Sequence, residues 1–241
     1  MTVQLETRPH GADKASAPSR PPQQAKKVAK WLCCASGKGG VGKTTTSLNL
    51  AVYAVHDGLT VCLVDFDIQG TLTRWVERRQ HQAGAPECDL WKGPFTEIEK
   101  AIAEIGARDD LDLVVVDTPP AIELCPTAIH AMLRKADFVL VPTTQGTADL
   151  DSVIEWMRFL HEEHARAAFL LNRTMRATRS FRSARNRLIK SGSVCPTDIR
   201  QLDDILRTHD HGVGVLEMSR STAAEDYQGL WDFMRKQLGI A

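Results

Sequence analysis

The chain contains no run of eighteen or more apolar residues, so no segment is expected to cross a membrane as a helix. Its first residues lack the charged-then-apolar layout of a secretory leader. Neither sign of charge prevails: thirty Lys and Arg stand against thirty Asp and Glu, so the whole-molecule charge predicts neither a nucleic-acid nor a membrane partner. Any such partner must be read from local clustering. Cysteine is sparse and scattered, with six residues at 33, 34, 62, 88, 125 and 195 and no C-x₂-C pair, which argues against a disulfide framework or a metal knuckle. These thiols read as core residues of a protein in a reducing cytosol. No internal repeat occurs.

Large apolar residues are also rare in residues 1–27, which are rich in Pro, Ala, Ser and Gln. Such a segment cannot bury enough surface to offset the entropy of ordering, and a disordered tail is expected there. Its Arg20, Lys26 and Lys27, with Lys30 just beyond, either keep the tail soluble or touch an anion. Residues 28–241 suit a single domain, since one core commonly serves up to about 250 residues.

What is present begins with a glycine-rich loop. Gly37-Lys38-Gly39-Gly40-Val41-Gly42-Lys43-Thr44 fits the phosphate-binding pattern G-x-x-x-x-G-K-[ST], between a strand-like run at 28–36 and a helical pattern at 45–57 with Leu48, Ala51, Val52 and Val55 on one face. Glycines let successive backbone N–H groups turn inward around a polyphosphate, and the following helix N-terminus adds a partial positive charge. Lys43 is expected to neutralise the β and γ phosphates, Thr44 to ligate Mg²⁺, and Thr45 to reach the α phosphate. A bound nucleotide polyphosphate and Mg²⁺ are thus expected.

The remaining strand-like segments, within 61–70, 111–120, 136–144 and 167–173, alternate with helical patterns at 70–80, 95–105, 126–135, 150–164 and 223–238. A further strand is expected at 194–199. This alternation predicts an α/β fold, a mostly parallel twisted sheet with helices on both faces, and the glycine-rich loop makes it the P-loop NTPase kind. In the last helix Tyr227, Leu230, Trp231, Met234 and Leu238 form one stripe, read as core packing rather than a membrane anchor. Asp117 follows Leu113 to Val116 and so falls at the carboxyl edge of the sheet, where ligands of open α/β sheets bind. Asp65 and Asp67 end the preceding strand.

GKGGVGKTT resembles the deviant Walker A loop of the ParA/MinD family of ATPases, in which the extra lysine, here Lys38, reaches a partner's nucleotide across a dimer interface. VCLVDFDIQG, LDLVVVDTPP, ADFVLVPTT, AAFLLNR and the closing VGVLEMSRSTAAEDY are similar to further segments of that family; Ile68 stands where it usually has proline. The resemblance implies that Lys38, Lys43 and Asp67 are catalytic, Asp67 orienting the attacking water while Asp65 supports the loop. It further implies that Asp117 holds Mg²⁺ through water and that Asn172 contacts adenine. A small ParA-type partition or positioning ATPase follows: cytoplasmic and nucleoid-associated, a homodimer with ATP, and slow until a ParB-like or cargo-adaptor protein stimulates hydrolysis. The DTPP loop carries no cysteine, which argues against the nitrogenase iron-protein branch. A MinD-like membrane-cycling factor is the alternative, disfavoured because no basic amphipathic segment follows the last helix. Likewise, too few residues precede the loop for an added helix-turn-helix domain.

Local charge is most uneven between 164 and 197, where Asp and Glu are absent. Arg173, Arg176, Arg179, Arg182, Arg185, Arg187 and Lys190 accumulate there. On a helix at about 100° per residue, Phe181, Ala184 and Leu188 share one face and Arg179, Arg182, Arg187 and Lys190 project from the other. One-signed clustering is an electrostatic footprint, and non-specific DNA is the expected partner.

Overall fold

The computed structural model describes residues 27–240. The expected tail lies outside the described residues except for Lys27, whose ammonium pairs with Asp112 at 2.6 Å. Six parallel strands form one sheet in the order β3-β2-β4-β1-β5-β6: β1 Lys30–Cys34, β2 Val61–Asp65, β3 Asp89–Lys92, β4 Leu113–Asp117, β5 Phe138–Thr143 and β6 Ala167–Leu171. Each parallel step needs a crossover, and helices supply most of them: α1 Lys43–His56, α2 Thr71–Arg79, α3 Ile98–Gly106, α4 Pro126–Lys135 and α5 Thr147–Glu162. Then α6 Arg179–Ile189, α7 Asp203–His211 and α8 Ala223–Leu238 close the chain.

The two-residue period of the strands divides the core. Val114 and Val116, with Val139, Val141 and Phe169, face one layer that takes in Ile98, Met132, Met157 and Leu188 from α3 to α6. Leu113 and Val115, with Leu63, Leu140 and Leu170, face the other, which holds Leu48, Trp75, Ile205 and Trp231 from α1, α2, α7 and α8. The apolar stripe of α8 is fully buried in this second layer, as expected of core packing. Helix α1 departs from the single-face expectation. Its residues from Thr46 to Val55 are all buried, because α8 covers the side that the sheet leaves open.

Boundaries differ in understandable ways. The first turn expected at 95–105 is a short 3₁₀ segment, Phe95–Glu97, before α3 begins. No strand forms at 194–199. Instead Val194 makes an isolated parallel bridge to Phe169, Cys195 N–H donates to the Phe169 carbonyl at 2.8 Å and Ile199 N–H to that of Leu171 at 2.9 Å. Pro196 has no N–H to continue the ladder. Strand β3 and helix α7 were not anticipated: the first is four residues long, and the second buries only Ile205 and Thr208.

Candidate functional site

Strand register brings the acidic and basic groups together. Cys34, the last residue of β1, lies opposite Asp117, and Asp117 lies opposite Asp65 across β4 and β2. The phosphate-type loop therefore leaves β1 directly above two carboxylates. The Thr118 hydroxyl donates to the Cys34 carbonyl at 2.9 Å, and Ala121 N–H donates to the Gly37 carbonyl at 2.9 Å, so the segment after β4 is laced to the loop. Ala121 takes a left-handed φ of 53°, uncommon for a residue with a Cβ.

Within the loop, Gly40 takes a left-handed φ of +73°, and Gly42 is the position where lack of space demands glycine as well. Its φ is +91°, and a Cβ there would stand 2.3 Å from Nδ2 of Asn172. That amide, 4% exposed, donates to the Val41 carbonyl at 3.0 Å and approaches the Thr46 hydroxyl at 3.5 Å, while its Oδ1 accepts from Arg173 N–H at 2.9 Å. Asn172 thus braces the underside of the loop. A cavity of about 150 Å³ opens beside it, lined by Gly42, Thr45, Arg173, Arg200, Leu202 and Ile205 among others.

Lys43 is buried, and its Nζ donates to the Lys38 carbonyl at 2.9 Å, folding back along the loop. Burial lowers its pKa, and Asp117 and Asp67 oppose that shift. Thr44 donates its hydroxyl to Asp117 Oδ2 at 2.6 Å. The other oxygen, Asp117 Oδ1, is buried with no hydrogen-bond partner among the described residues. Burial pushes the Asp117 carboxyl up to about 7; Asp65 and Asp67 push the same way, and Thr44 and Lys43 pull against them. An orphaned carboxylate oxygen beside a threonine hydroxyl is an incomplete oxygen-donor set. Such a set fits a hard divalent cation that keeps most of its waters, as Mg²⁺ does.

Asp65 is fully engaged in organising the neighbouring loop. Its Oδ1 accepts from Asp67 N–H at 3.1 Å, and its Oδ2 accepts from both the backbone N–H and the hydroxyl of Thr73 at 2.8 Å, within the first turn of α2. Asp67 gives one oxygen to Gln69 N–H at 3.0 Å and borders a cavity of about 330 Å³ with Arg74 and Lys92. Lys38 is half-buried, whereas Ile68 and Leu124 on the flanking loops are 86% and 79% exposed.

The basic segment is less uniform in space than in sequence. Phe181 is half-buried and Ala184 and Leu188 are buried, with Arg179, Arg182 and Lys190 exposed, so α6 has the expected inner and outer sides. Arg176, however, bonds Asp198 at 3.0 Å and Asp226 at 3.0 Å, and Arg187 pairs with Asp151. Acidic residues from other elements reach into a stretch that contains none, so Arg176 and Arg187 are structural pairs rather than a free cationic face. Arg173 sits apart beside the Asn172 cavity, and Arg185 is half-buried.

Sequence reading missed His209 on α7. Its Nε2 lies 2.8 Å from the Thr45 hydroxyl, with burial lowering its pKa. His209 and His211 in a polar helix carry no recognisable site spacing, and only the fold brings His209 to the loop.

A family model described as the CobQ/CobB/MinD/ParA nucleotide binding domain matches residues 32–217. Maintenance of carboxysome distribution protein A of Gloeobacter kilaueensis is 40% identical over 120 residues, which make up 50% of this chain and 51% of that protein. The matched stretch therefore spans about half the length of that relative. The protein of the same name from Halothiobacillus neapolitanus is 28% identical over 202 residues, covering 81% of this chain and 91% of that one. Among solved structures, the cell division ATPase MinD of Pyrococcus furiosus superposes with a TM-score of 0.69 at 18% identity, over 87% of this chain and 99% of its own. That likeness shows the fold.

Proposed function

Because the chain belongs to the CobQ/CobB/MinD/ParA nucleotide-binding family, we propose that it is a ParA-type ATPase. In this reading it dimerises on binding ATP, holds non-specific DNA in that state, and positions or partitions a cargo. The observation that carries the reading is the meeting of a complete two-lysine phosphate loop with Thr44 and a half-satisfied, buried Asp117. Lys43 leaves the Lys38 carbonyl to neutralise the β and γ phosphates, and the loop N–H groups hold their oxygens. Thr44 and Asp117 would hold Mg²⁺, which supplies charge neutralisation for the phosphoryl oxygens. Asp67, on a loop tied down by Asp65, orients the attacking water. Lys38 adds its charge across the interface to the partner's nucleotide, and the exposed Ile68 and Leu124 flank that face.

The Arg179, Arg182 and Lys190 side of α6 supports a polyanion contact, with Arg185 at its margin. The names of the carboxysome relatives favour an intracellular body as the cargo class, held through an adaptor or ParB-like protein that stimulates hydrolysis. Such a protein would work in the cytoplasm on the nucleoid, with no membrane partner. The test is nucleotide affinity and phosphate release for the parent, Lys43→Ala and Asp67→Ala. Lys43→Ala is expected to lose ATP binding, and Asp67→Ala to bind ATP without turnover. Parent-like ATP affinity in Lys43→Ala contradicts the assignment of the loop.

A further inference from the structure

The hydrogen bond between Thr45 and His209 joins two elements that are far apart in sequence. Thr45 stands in the first turn of α1, one residue beyond Thr44, and lines the cavity beside Gly42; the imidazole Nε2 is 2.8 Å from its hydroxyl. The histidine is held from behind. Trp75 Nε1 donates to the carbonyls of Thr208 at 3.1 Å and Val213 at 3.2 Å, and Arg78 Nη1 donates to the His209 carbonyl at 3.1 Å. Gly212, which ends α7 with φ +65°, packs so closely on α2 that a Cβ would stand 2.4 Å from Arg79 N. The ring is thus aimed at Thr45 by a helix end clamped on its far side.

A hydroxyl has one proton to give, and a phosphate oxygen only accepts. If Thr45 donates to a bound phosphate, its oxygen is left to accept from His209. The ring nitrogen facing it must then carry the proton. Burial, with Arg78 and Arg173 nearby and only Asp210 opposing them, favours the neutral ring, so the choice falls between two tautomers.

Resting on the nucleotide reading above, we propose that His209 is a positioning residue for bound nucleotide: its Nε2–H donates to the Thr45 hydroxyl and turns the hydroxyl proton toward the phosphate chain. The residue touches Thr45 rather than nucleotide, and it links the phosphate side of the site to α2, which starts directly after the Asp67 loop. Nucleotide binding selects one tautomer of His209.

The test uses the full chain with Mg-ADP as the probe. Calorimetric affinities are compared for the parent, His209→Gln, which keeps a donor at a similar reach, and His209→Leu, which has none, each also in a Thr45→Val background. A neutral hydrogen bond implies a loss of about three- to tenfold for His209→Leu. His209→Gln should stay within about twofold of the parent, and the His209→Leu effect should disappear once Thr45 is valine. In the unaltered protein, ¹⁵N spectra of the histidine rings should show His209 settling in the Nε2–H form when ADP is added. Parent-like affinity of a folded His209→Leu, an equal loss in the Thr45→Val background, or an Nδ1–H ring in the ADP complex overturns the role of His209 alone. Failure of the parent to bind ADP or ATP overturns the nucleotide reading, and this proposal with it.

Discussion

Replacing Asp117 by asparagine should stabilise the ligand-free protein at neutral and alkaline pH. The carboxyl is fully buried, one of its oxygens has no partner among the described residues, and its pKa is pushed from 3.8 up to about 7. In the unfolded chain the group ionises near 3.8, so from that pH upward the folded state must either carry an extra proton or bury a charge. For a carboxyl raised in the folded state, the contribution to stability is fully present below pH 3.8 and is lost as pH rises through about 7. That interval, at about 1.4 kcal/mol per pKa unit, bounds the penalty at roughly 4 kcal/mol. Asparagine keeps an acceptor for Thr44 but removes the nearest counter-charge of Lys43, leaving Asp67 and Glu123, so a net gain of about 1–3 kcal/mol is expected at pH 8. For a domain of this size each kcal/mol raises Tm by about 2–4 °C. Urea and thermal unfolding of the parent and Asp117→Asn should be run without nucleotide or Mg²⁺ between pH 4 and pH 8. Their difference should be near zero at the acid end, grow through pH 5–7 and level off above it. A variant equally or less stable at pH 8, or a difference independent of pH, refutes the account of Asp117. Excess Mg-ATP should stabilise the parent and do little for the variant, the trade of stability against activity expected at a functional carboxylate.

Gly42→Ala should cost more than about 1 kcal/mol and abolish ATP binding, because the new Cβ meets both a φ of +91° and Asn172 Nδ2 at 2.3 Å; unchanged ATP affinity by calorimetry would contradict the bracing role of Asn172. Lys38→Ala should bind nucleotide but lose the ATP-dependent doubling of mass by light scattering, and a doubling as strong as the parent's would remove Lys38 from the interface.

The loop, five of the six strands and most helices were legible because each rests on a local pattern. Consecutive glycines, a lysine before threonine and continuous runs such as Leu113 to Val116 need no tertiary information. Strand β3 was not legible: Asp89–Lys92 is a short edge strand whose residues are partly exposed, so it lacks an apolar run. The polar α7 is placed by Trp75, Arg78 and Gly212 rather than by its own stripe, and His209 was hidden with it. The arginine segment shows the opposite error. A stretch without acids looked uniformly cationic, yet Asp151, Asp198 and Asp226 come from elsewhere in the chain to pair with Arg187 and Arg176. Sequence distance hides charge compensation that the fold supplies.

The claim that nucleotide controls a DNA-holding dimer is tested most directly by titrating salt against a fluorescent duplex of arbitrary sequence, with ATP or ADP present, for the parent and for Arg179→Glu, Arg182→Glu, Lys190→Glu combined. These three exposed residues have no acidic partner among the described residues. A dimer would present about six such charges, so affinity in ATP should fall by about a thousandfold between 50 and 200 mM salt. Unrelated duplexes should bind alike, since phosphate contacts carry no base information. ADP should give little binding, and the triple reversal should abolish binding while leaving ATP affinity intact. DNA binding that is equal in ATP and ADP, absent in both at low salt, or untouched by the triple reversal would contradict it.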